Sequence, residues 1–532
     1  MLPSASGSPA PKDGSTGSPF RYQRREPEKT LLHRIVRENL ATFLAEAADR
    51  YPSGDLPAFV SQEFERYLRC GILRHGFARV RCPSCRDEIL VAFSCKNRGV
   101  CPSCCARRMA DSAAHLRDSV FPSVPVRQWV FTLPKRLRFL LAWRPKLISL
   151  MLRLFLRALF SWQRRCARRQ GIRSPLCGAV SFIQRFGSSL NLNIHVHAIL
   201  PDGVFFEDED GRVQFHPLSA PRYSDLEKLI RKLVPRLLRK LGEEELPEQA
   251  QWLLSLCEAF AAGSPAQATD PPRGLGVFCE GFSLHAGVFV SDLDGDALER
   301  LARYCARPPL SLRRLELQED GQILYHAKHA APGAPRLLRL SPTQFMGRLA
   351  ALIPPPRAHL TRFHGIFAPH SKHRSRIIPE PSPAAAAAPE PPIVTPDLPI
   401  AAPDLPIATP DLPIATPDLS IATQQQAPSA ASATAGVDPP PPPSRGPYRL
   451  PWATLLRRVF ALQVLTCDRC GGKRRLVALI DKDAAIKKIL THLGLPTQPP
   501  AAWPARAPPR AADGVDRWPQ DGIDPIPGDW YD

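Results

Sequence analysis

Apolar positions change their period along the chain, and the changes divide it. Between Pro27 and Leu73, the residues Leu31, Ile35, Val36, Leu40, Phe43 and Leu44 recur at spacings of three and four, which predicts helix. Pro27 suits a first helical turn, where its missing N–H costs nothing. Helices are also predicted over 107–120, 146–169, 224–241 and 296–306. Elsewhere the pattern shortens. Residues 178–185, 193–200 and 203–206 alternate or run apolar in short pieces and predict strands, as do 287–291 and 323–328. The most apolar stretch, 137–160, is broken by Arg144, Lys146, Arg153 and Arg157, which argues against a membrane span.

Low-complexity sequence marks the borders. Residues 1–26 are rich in Ser, Gly and Pro and predict a disordered tail. Residues 379–446 hold an Ala and Pro tract and four near-copies of PDLPIAT, beginning at Pro396, Pro403, Pro410 and Pro417. Proline every few residues excludes helix and sheet ladders, so this segment predicts an extended linker. The expected layout is a helical, Cys-rich domain over 27–120, a second domain over 121–378, the linker, a small unit over 447–495 and a tail over 496–532.

Charge then narrows the partner. Lys plus Arg number 70 against 50 for Asp plus Glu, a formal net charge of +20 over 532 residues, which favours a polyanion such as nucleic acid. Of the 14 Cys, seven lie between Cys70 and Cys105. Cys82-Pro-Ser-Cys85 and Cys101-Pro-Ser-Cys104 are two knuckles separated by fifteen residues, the spacing of a four-thiolate zinc site. Such a zinc is structural, with no open position. Cys70, His75, Cys95 and Cys105 are nearby alternative ligands, and Cys467-Asp-Arg-Cys470 is half a site far downstream, with His492 a distant candidate partner. Arg98, Arg107 and Arg108 beside the knuckles suit DNA phosphates.

His195-Val196-His197 lies in a strand-like run. Alternation puts both imidazoles on one face, with Asn193 on the same side, so the pair could share a metal. The run from Ser181 to Gly203 resembles the signature of HUH nucleases, named for His, hydrophobic, His. Together with the Cys-rich segment and the stretch Arg127-Gln-Trp-Val-Phe-Thr-Leu-Pro134, it resembles the rolling-circle transposases of the insertion sequence 91 family over about 27–376.

The resemblance implies an α+β fold: an N-terminal helical and zinc-knuckle domain, then a nuclease domain with an antiparallel sheet flanked by helices. It implies an enzyme that cleaves and rejoins single-stranded DNA at transposon ends and target through a 5′-phosphotyrosine. Tyr304, in Leu301-Ala-Arg-Tyr-Cys-Ala-Arg, matches the nucleophile's segment, and Lys328 matches a basic position suited to the scissile phosphate. Two-tyrosine members carry a second Tyr four residues earlier; here that position is Arg300, so the chain reads as a single-tyrosine variant.

His195 and His197 would hold Mg²⁺ or Mn²⁺, with Gln184 a candidate third ligand. Arg300, Arg307, Arg314, Arg362 and Phe363 are candidate DNA contacts, and the basic, aromatic stretch 357–376 suits stacking on Phe363 or Phe367. No Gly-rich phosphate loop is present, and a phosphotyrosine retains the bond energy needed for rejoining, so no nucleoside triphosphate is required. Self-association is compatible with this chemistry. The expected location is the bacterial cytoplasm, at the nucleoid when DNA is bound, with no membrane. The competing functions are a non-catalytic zinc-ribbon regulator and another HUH enzyme, a replication initiator or relaxase.

Overall fold

The strand bearing the histidine pair sits near the middle of a six-stranded sheet, and helices pack on both of its faces. The computed structural model describes residues 24–50, 56–243, 275–327, 336–378 and 465–506. Helices α1 (Leu31–Arg50) and α2 (Ala58–Arg69) come first, then a hairpin of β1 (Phe77–Arg81) and β2 (Glu88–Ala92), then α3 (Pro102–Ser119). Next are β3 (Val126–Thr132), α4 (Lys135–Trp143), α5 (Pro145–Arg169), β4 (Gly178–Phe186), β5 (Leu192–Pro201), β6 (Gly203–Glu207), β7 (Val213–Pro217) and α6 (Tyr223–Gly242). After them lie β8 (Gly276–Cys279), β9 (Phe282–Val290), α7 (Gly295–Cys305), β10 (Leu315–Leu317), β11 (Ile323–His326), β12 (Leu337–Leu340) and α8 (Pro342–Leu352). The last elements are β13 (Thr361–Gly365), α9 (Arg374–Ile377), β14 (Arg475–Ile480) and α10 (Asp483–His492).

The central sheet runs β13-β4-β5-β3-β9-β8, and every pairing in it is antiparallel. Side chains alternate across it. Ile194, Val196, Ala198 and Leu200 of β5, with Trp129 and Phe131 of β3, face α4, α5 and α6 in the largest core. Phe131 stacks on Phe155 and Phe282, with ring centroids 5.2 and 5.9 Å away. Removing such a ring costs about 3–5 kcal/mol, because the cavity cannot collapse fully. On the opposite face Val126, Val180, Phe182 and Ile199 meet α3 and α7 through Ala113, Leu116, Leu298, Leu301 and Ala302. His195 and His197 point to this second face, beneath α7.

The N-terminal helices do not form a core of their own. Phe43, Phe64 and Tyr67 share one with Tyr325 of the β10-β11-β12 sheet and with Phe345 and Leu349 of α8, and Cys70, Cys101 and Cys104 lie inside it. The Cys-rich region is therefore braced against the sheet domain.

The C-terminal unit is also not separate where it is described. β14 extends the N-terminal hairpin into a sheet of order β14-β1-β2. Part of the expected tail follows it: residues 496–506 reach α1, where the N–H of Trp503 donates to the Arg37 carbonyl (3.3 Å) and that of Arg506 to Thr42 Oγ1 (3.0 Å). The linker expected over 379–446, the first part of the tail at the N-terminus and residues 507–532 lie outside the described residues. The basic stretch expected to track DNA contains β13, an edge strand of the central sheet paired with β4. Among the described residues no helix is long and apolar enough to cross a membrane.

Candidate active site

His195 and His197 stand two residues apart on β5, opposite Thr132 and Val130 of β3 and Gln184 and Phe182 of β4. Their ring centroids are 4.9 Å apart. Both are buried. Burial pushes the His195 imidazole down to about 4 and holds that of His197 well below its usual range, so both rings are neutral near pH 7. The Nδ1–H of His195 donates to the Asn193 carbonyl (2.9 Å), which leaves Nε2 as its metal-binding nitrogen. His197 Nδ1 lies 2.7 Å from Gln128 Nε2, while its own Nε2 is buried without a partner.

Helix α7 closes over this pair. It begins at a cap in which the Asp294 carboxylate accepts from the Ala297 N–H (2.6 Å), and it buries Leu298, Leu301, Ala302 and Cys305. Tyr304, in its last turn, sets its ring edge-on to His197, with centroids 5.6 Å apart and planes at 88°. Gln184 fixes the end of that helix: its amide nitrogen donates to the carbonyls of Tyr304 (3.1 Å) and Cys305 (2.8 Å). Its Oε1 is buried and without a partner. The Arg307 guanidinium lies over the Tyr304 ring at 4.8 Å and over Phe186 at 5.4 Å, and its Nε is also unpartnered. Burial raises the Tyr304 hydroxyl above its ordinary range, and the Arg307 charge opposes that rise. Arg300, one turn earlier, is exposed and pairs with Asp294 at 3.4 Å.

Two features were missed in the sequence, one residue of this centre and a cleft beyond it. Gln128 of β3 joins His197 to the nucleophile helix, because the same amide nitrogen lies 3.2 Å from Cys305 Sγ. Burial pushes the Cys305 thiol up to about 12, so it stays protonated. Nothing local marks Gln128; only strand pairing brings it to the site. The second omission is a cleft between α5 and β13 lined by Arg153, Arg157, Arg164, Arg362 and His364. Arg153 and Arg157 were legible as interruptions of an apolar run, and their spacing along α5 puts them with Arg164 on one face.

The remaining candidates divide. Lys328 lies outside the described residues. Arg98 is not free for phosphate: its guanidinium donates to the carbonyls of Ala358 (2.5 Å) and Pro355 (3.0 Å), which ties the Cys-rich region to the sheet domain. Arg107 donates to Ser94 Oγ (3.3 Å), while Arg108 donates to the Lys96 carbonyl (3.0 Å) at an exposed position. Arg314 ends the short turn Leu312–Arg314 after α7. Arg362 donates to Ser149 Oγ at 2.8 Å. Phe363 is half-buried between His115 and Arg374. Phe367 is 0% exposed and packs on Phe121 at 5.0 Å, so it cannot stack on a base.

The cysteines form two clusters, and the one site expected from spacing is split between them. Cys101 and Cys104 meet Cys70 and Cys95; Cys82 and Cys85 meet Cys467 and Cys470. The fold explains the split. The first knuckle lies between β1 and β2, with Cys82 at the end of β1, while the second opens α3, so β2 and the loop after it carry them apart. His75 belongs to neither cluster, and Cys105 turns instead toward the carbonyls of Asn97 and Gly99.

Residues 178–375, which span β4, β5, α7 and β13, match a family model described as "Putative transposase". Residues 35–133, from α1 through β3, match one described as "Transposase zinc-binding domain". No curated protein and no solved structure gives a match. The two matches follow one another in the order of the two structural regions just described, and the chain belongs to the insertion sequence 91 family of transposases, DNA-processing proteins with a zinc-binding module ahead of the enzymatic domain.

Proposed function

We propose that the protein is a rolling-circle transposase that cuts and rejoins single-stranded DNA with Tyr304 as nucleophile. The observation that carries this is the convergence, under α7, of the Tyr304 ring, the His197 Nε2 and the Gln184 Oε1, the last two buried without partners. Buried polar atoms are normally satisfied, so two lone ones in a single site suit a bound ion. His195, His197 and Gln184 would hold a divalent cation, Mg²⁺ or Mn²⁺, whose positive charge stabilises the developing charge on a scissile phosphate. Imidazole and amide oxygen together suit Mn²⁺ at least as well as Mg²⁺.

The chain's own residues do the rest. Tyr304 attacks phosphorus, the bond to the 3′-oxygen breaks, and that oxygen leaves as a 3′-hydroxyl while the 5′-phosphate stays on the tyrosine. Arg307, over the Tyr304 ring, favours the phenolate and supplies a positive charge for an incoming phosphate. Gln128 positions His197. A half-turn of its amide presents oxygen to the Nδ1–H and to the Cys305 thiol together, the arrangement that leaves the His197 Nε2 lone pair outward. With Arg300 in place of an earlier tyrosine, one Tyr304 acts in successive steps, the first covalent bond being resolved before the second forms. The arginine cleft beside β13 gives the displaced strand a cationic path.

In the zinc-binding module, Cys70, Cys95, Cys101 and Cys104 hold the structural ion. Cys70 Sγ is 3.6 and 3.7 Å from those of Cys101 and Cys104, and Cys95 Sγ is 3.5 Å from that of Cys104. These are edges of a tetrahedron with arms of about 2.3 Å. Incubation with oligonucleotides carrying the element's ends plus Mn²⁺, run on a denaturing gel, tests the proposal. A covalent protein–DNA band supports it, and its absence with intact, DNA-binding protein overturns it.

A further inference from the structure

We infer that Cys82, Cys85, Cys467 and Cys470 form a second structural zinc site, which clasps the C-terminal unit onto the N-terminal module across the whole transposase domain. Half of its ligands lie far beyond the residues that match the zinc-binding family model, 35–133. All four sulfur atoms lie within 4.8 Å of one another. Cys82 Sγ is 3.5 Å from Cys470 Sγ, and Cys85 Sγ is 3.4 Å from Cys467 Sγ. A tetrahedral zinc with 2.3 Å arms needs sulfur–sulfur edges of roughly 3.7 Å, whereas a disulfide would draw each pair to about 2.05 Å. Two long-range contacts of similar length, each joining a cysteine of one knuckle to a cysteine of the other, are the pattern of one shared ion.

The surroundings are built for the same junction. β14 pairs with β1 from Phe77↔Ile480 to Arg81↔Arg475, with one register shift between Arg79 and Val80, so the knuckles are held at one end of a shared ladder. Arg474 is almost fully buried and bridges the two halves, donating to Asp87 (2.6 Å) on one side and to the Thr466 carbonyl (2.8 Å) on the other. Leu73 and Phe77 share a small core with Ile486 and Leu490 of α10. Gly76, at φ +106, allows close approach: a Cβ there would meet the Phe93 ring at 2.7 Å and the Ile480 carbonyl at 2.9 Å. A core this small is marginal alone, which is where a thiolate metal couples binding to folding. Zinc would close a loop of 382 residues between Cys85 and Cys467.

Metal analysis of the purified full-length chain tests this, with two zinc ions per chain expected. Cys467→Ser/Cys470→Ser and Cys82→Ser/Cys85→Ser should each lower the count to one, because both pairs share an ion. As a measurement that needs no ligand variant, a site-specific protease sequence is placed within 379–446 of the full-length chain. After cutting, the C-terminal fragment should co-elute with the remainder on gel filtration and separate on addition of a zinc chelator. One zinc in the wild type, an unchanged count in the Cys467/Cys470 variant, or a cut fragment that ignores the chelator would each overturn the clasp.

Discussion

The histidine centre and the cysteine clusters are both sets of converging metal-type ligands, yet they are built in opposite ways. His195 and His197 come from alternate positions of one strand, their partners are one amide and one carbonyl, and the site keeps buried atoms unpartnered beside the only tyrosine of α7. The clusters draw four sulfur atoms each from scattered turns and leave no ligand position over. An open set of neutral ligands on a rigid strand can take part in chemistry, because a substrate oxygen can complete it. A closed thiolate set can only hold chain segments together. The proposals of zinc in one region and a harder cation in the other rest on that difference in donors.

Tyr304→Phe breaks the comparison hardest. It keeps the ring against His197 and removes only the hydroxyl, so folding and DNA binding should persist while adduct formation falls by at least about 10³-fold, read on a denaturing gel. His195→Ala or His197→Ala should lower cleavage by about 10²–10³-fold, since charge stabilisation at the phosphate is lost, and excess Mn²⁺ should restore part of it. A variant of either that cleaves normally would make the pair a structural one. Gln128→Leu sharpens the picture of how His197 is aimed: the Mn²⁺ needed for half-maximal cleavage should rise about 10–100-fold, with most of the rate recovered at saturation. A lower rate with unchanged Mn²⁺ dependence would assign Gln128 to packing alone.

Much of the open centre was legible because it is local. The His-x-His alternation, the strands around 178–206 and the helix ending near Tyr304 all follow from short periodicities. Gln184 was only a candidate third ligand in the sequence, and strand register sets it opposite His195. Gln128 was not legible, since its contact with His197 depends on pairing between β3 and β5 across 69 positions. The cysteines show the limit most clearly. Spacing revealed four knuckle sulfurs and a downstream pair, but not that β2 separates the knuckles or that β14 returns to β1, which is long-range pairing. β13 was hidden beneath its charge: Arg362 and His364 alternate with Phe363 on an edge strand, which reads as a basic loop.

Two smaller effects refine the electrostatics. His364 is held near 4 by burial and by Arg362 beside it, and it contacts Ser181 Oγ at 2.8 Å. An unfolded imidazole titrates near about 6.5, so between those values the unfolded chain binds the extra proton; stability present above the upper value is lost as pH falls toward the lower one. Urea midpoints of His364→Gln should therefore fall less steeply than those of the wild type over that window, and parallel curves would contradict it. Arg300→Ala should be the mildest change, weakening DNA binding by less than about tenfold and lowering the salt slope by about 1, because one exposed charge is removed and no bond-forming group.

The most direct test is peptide mapping of a protein–DNA adduct trapped with Mn²⁺ and a single-stranded oligonucleotide bearing the element's end. The account predicts a 5′-phosphonucleotide on the peptide containing Tyr304. A label on the exposed Tyr223 or the buried Tyr325, or no labelled tyrosine under any divalent metal, would contradict it.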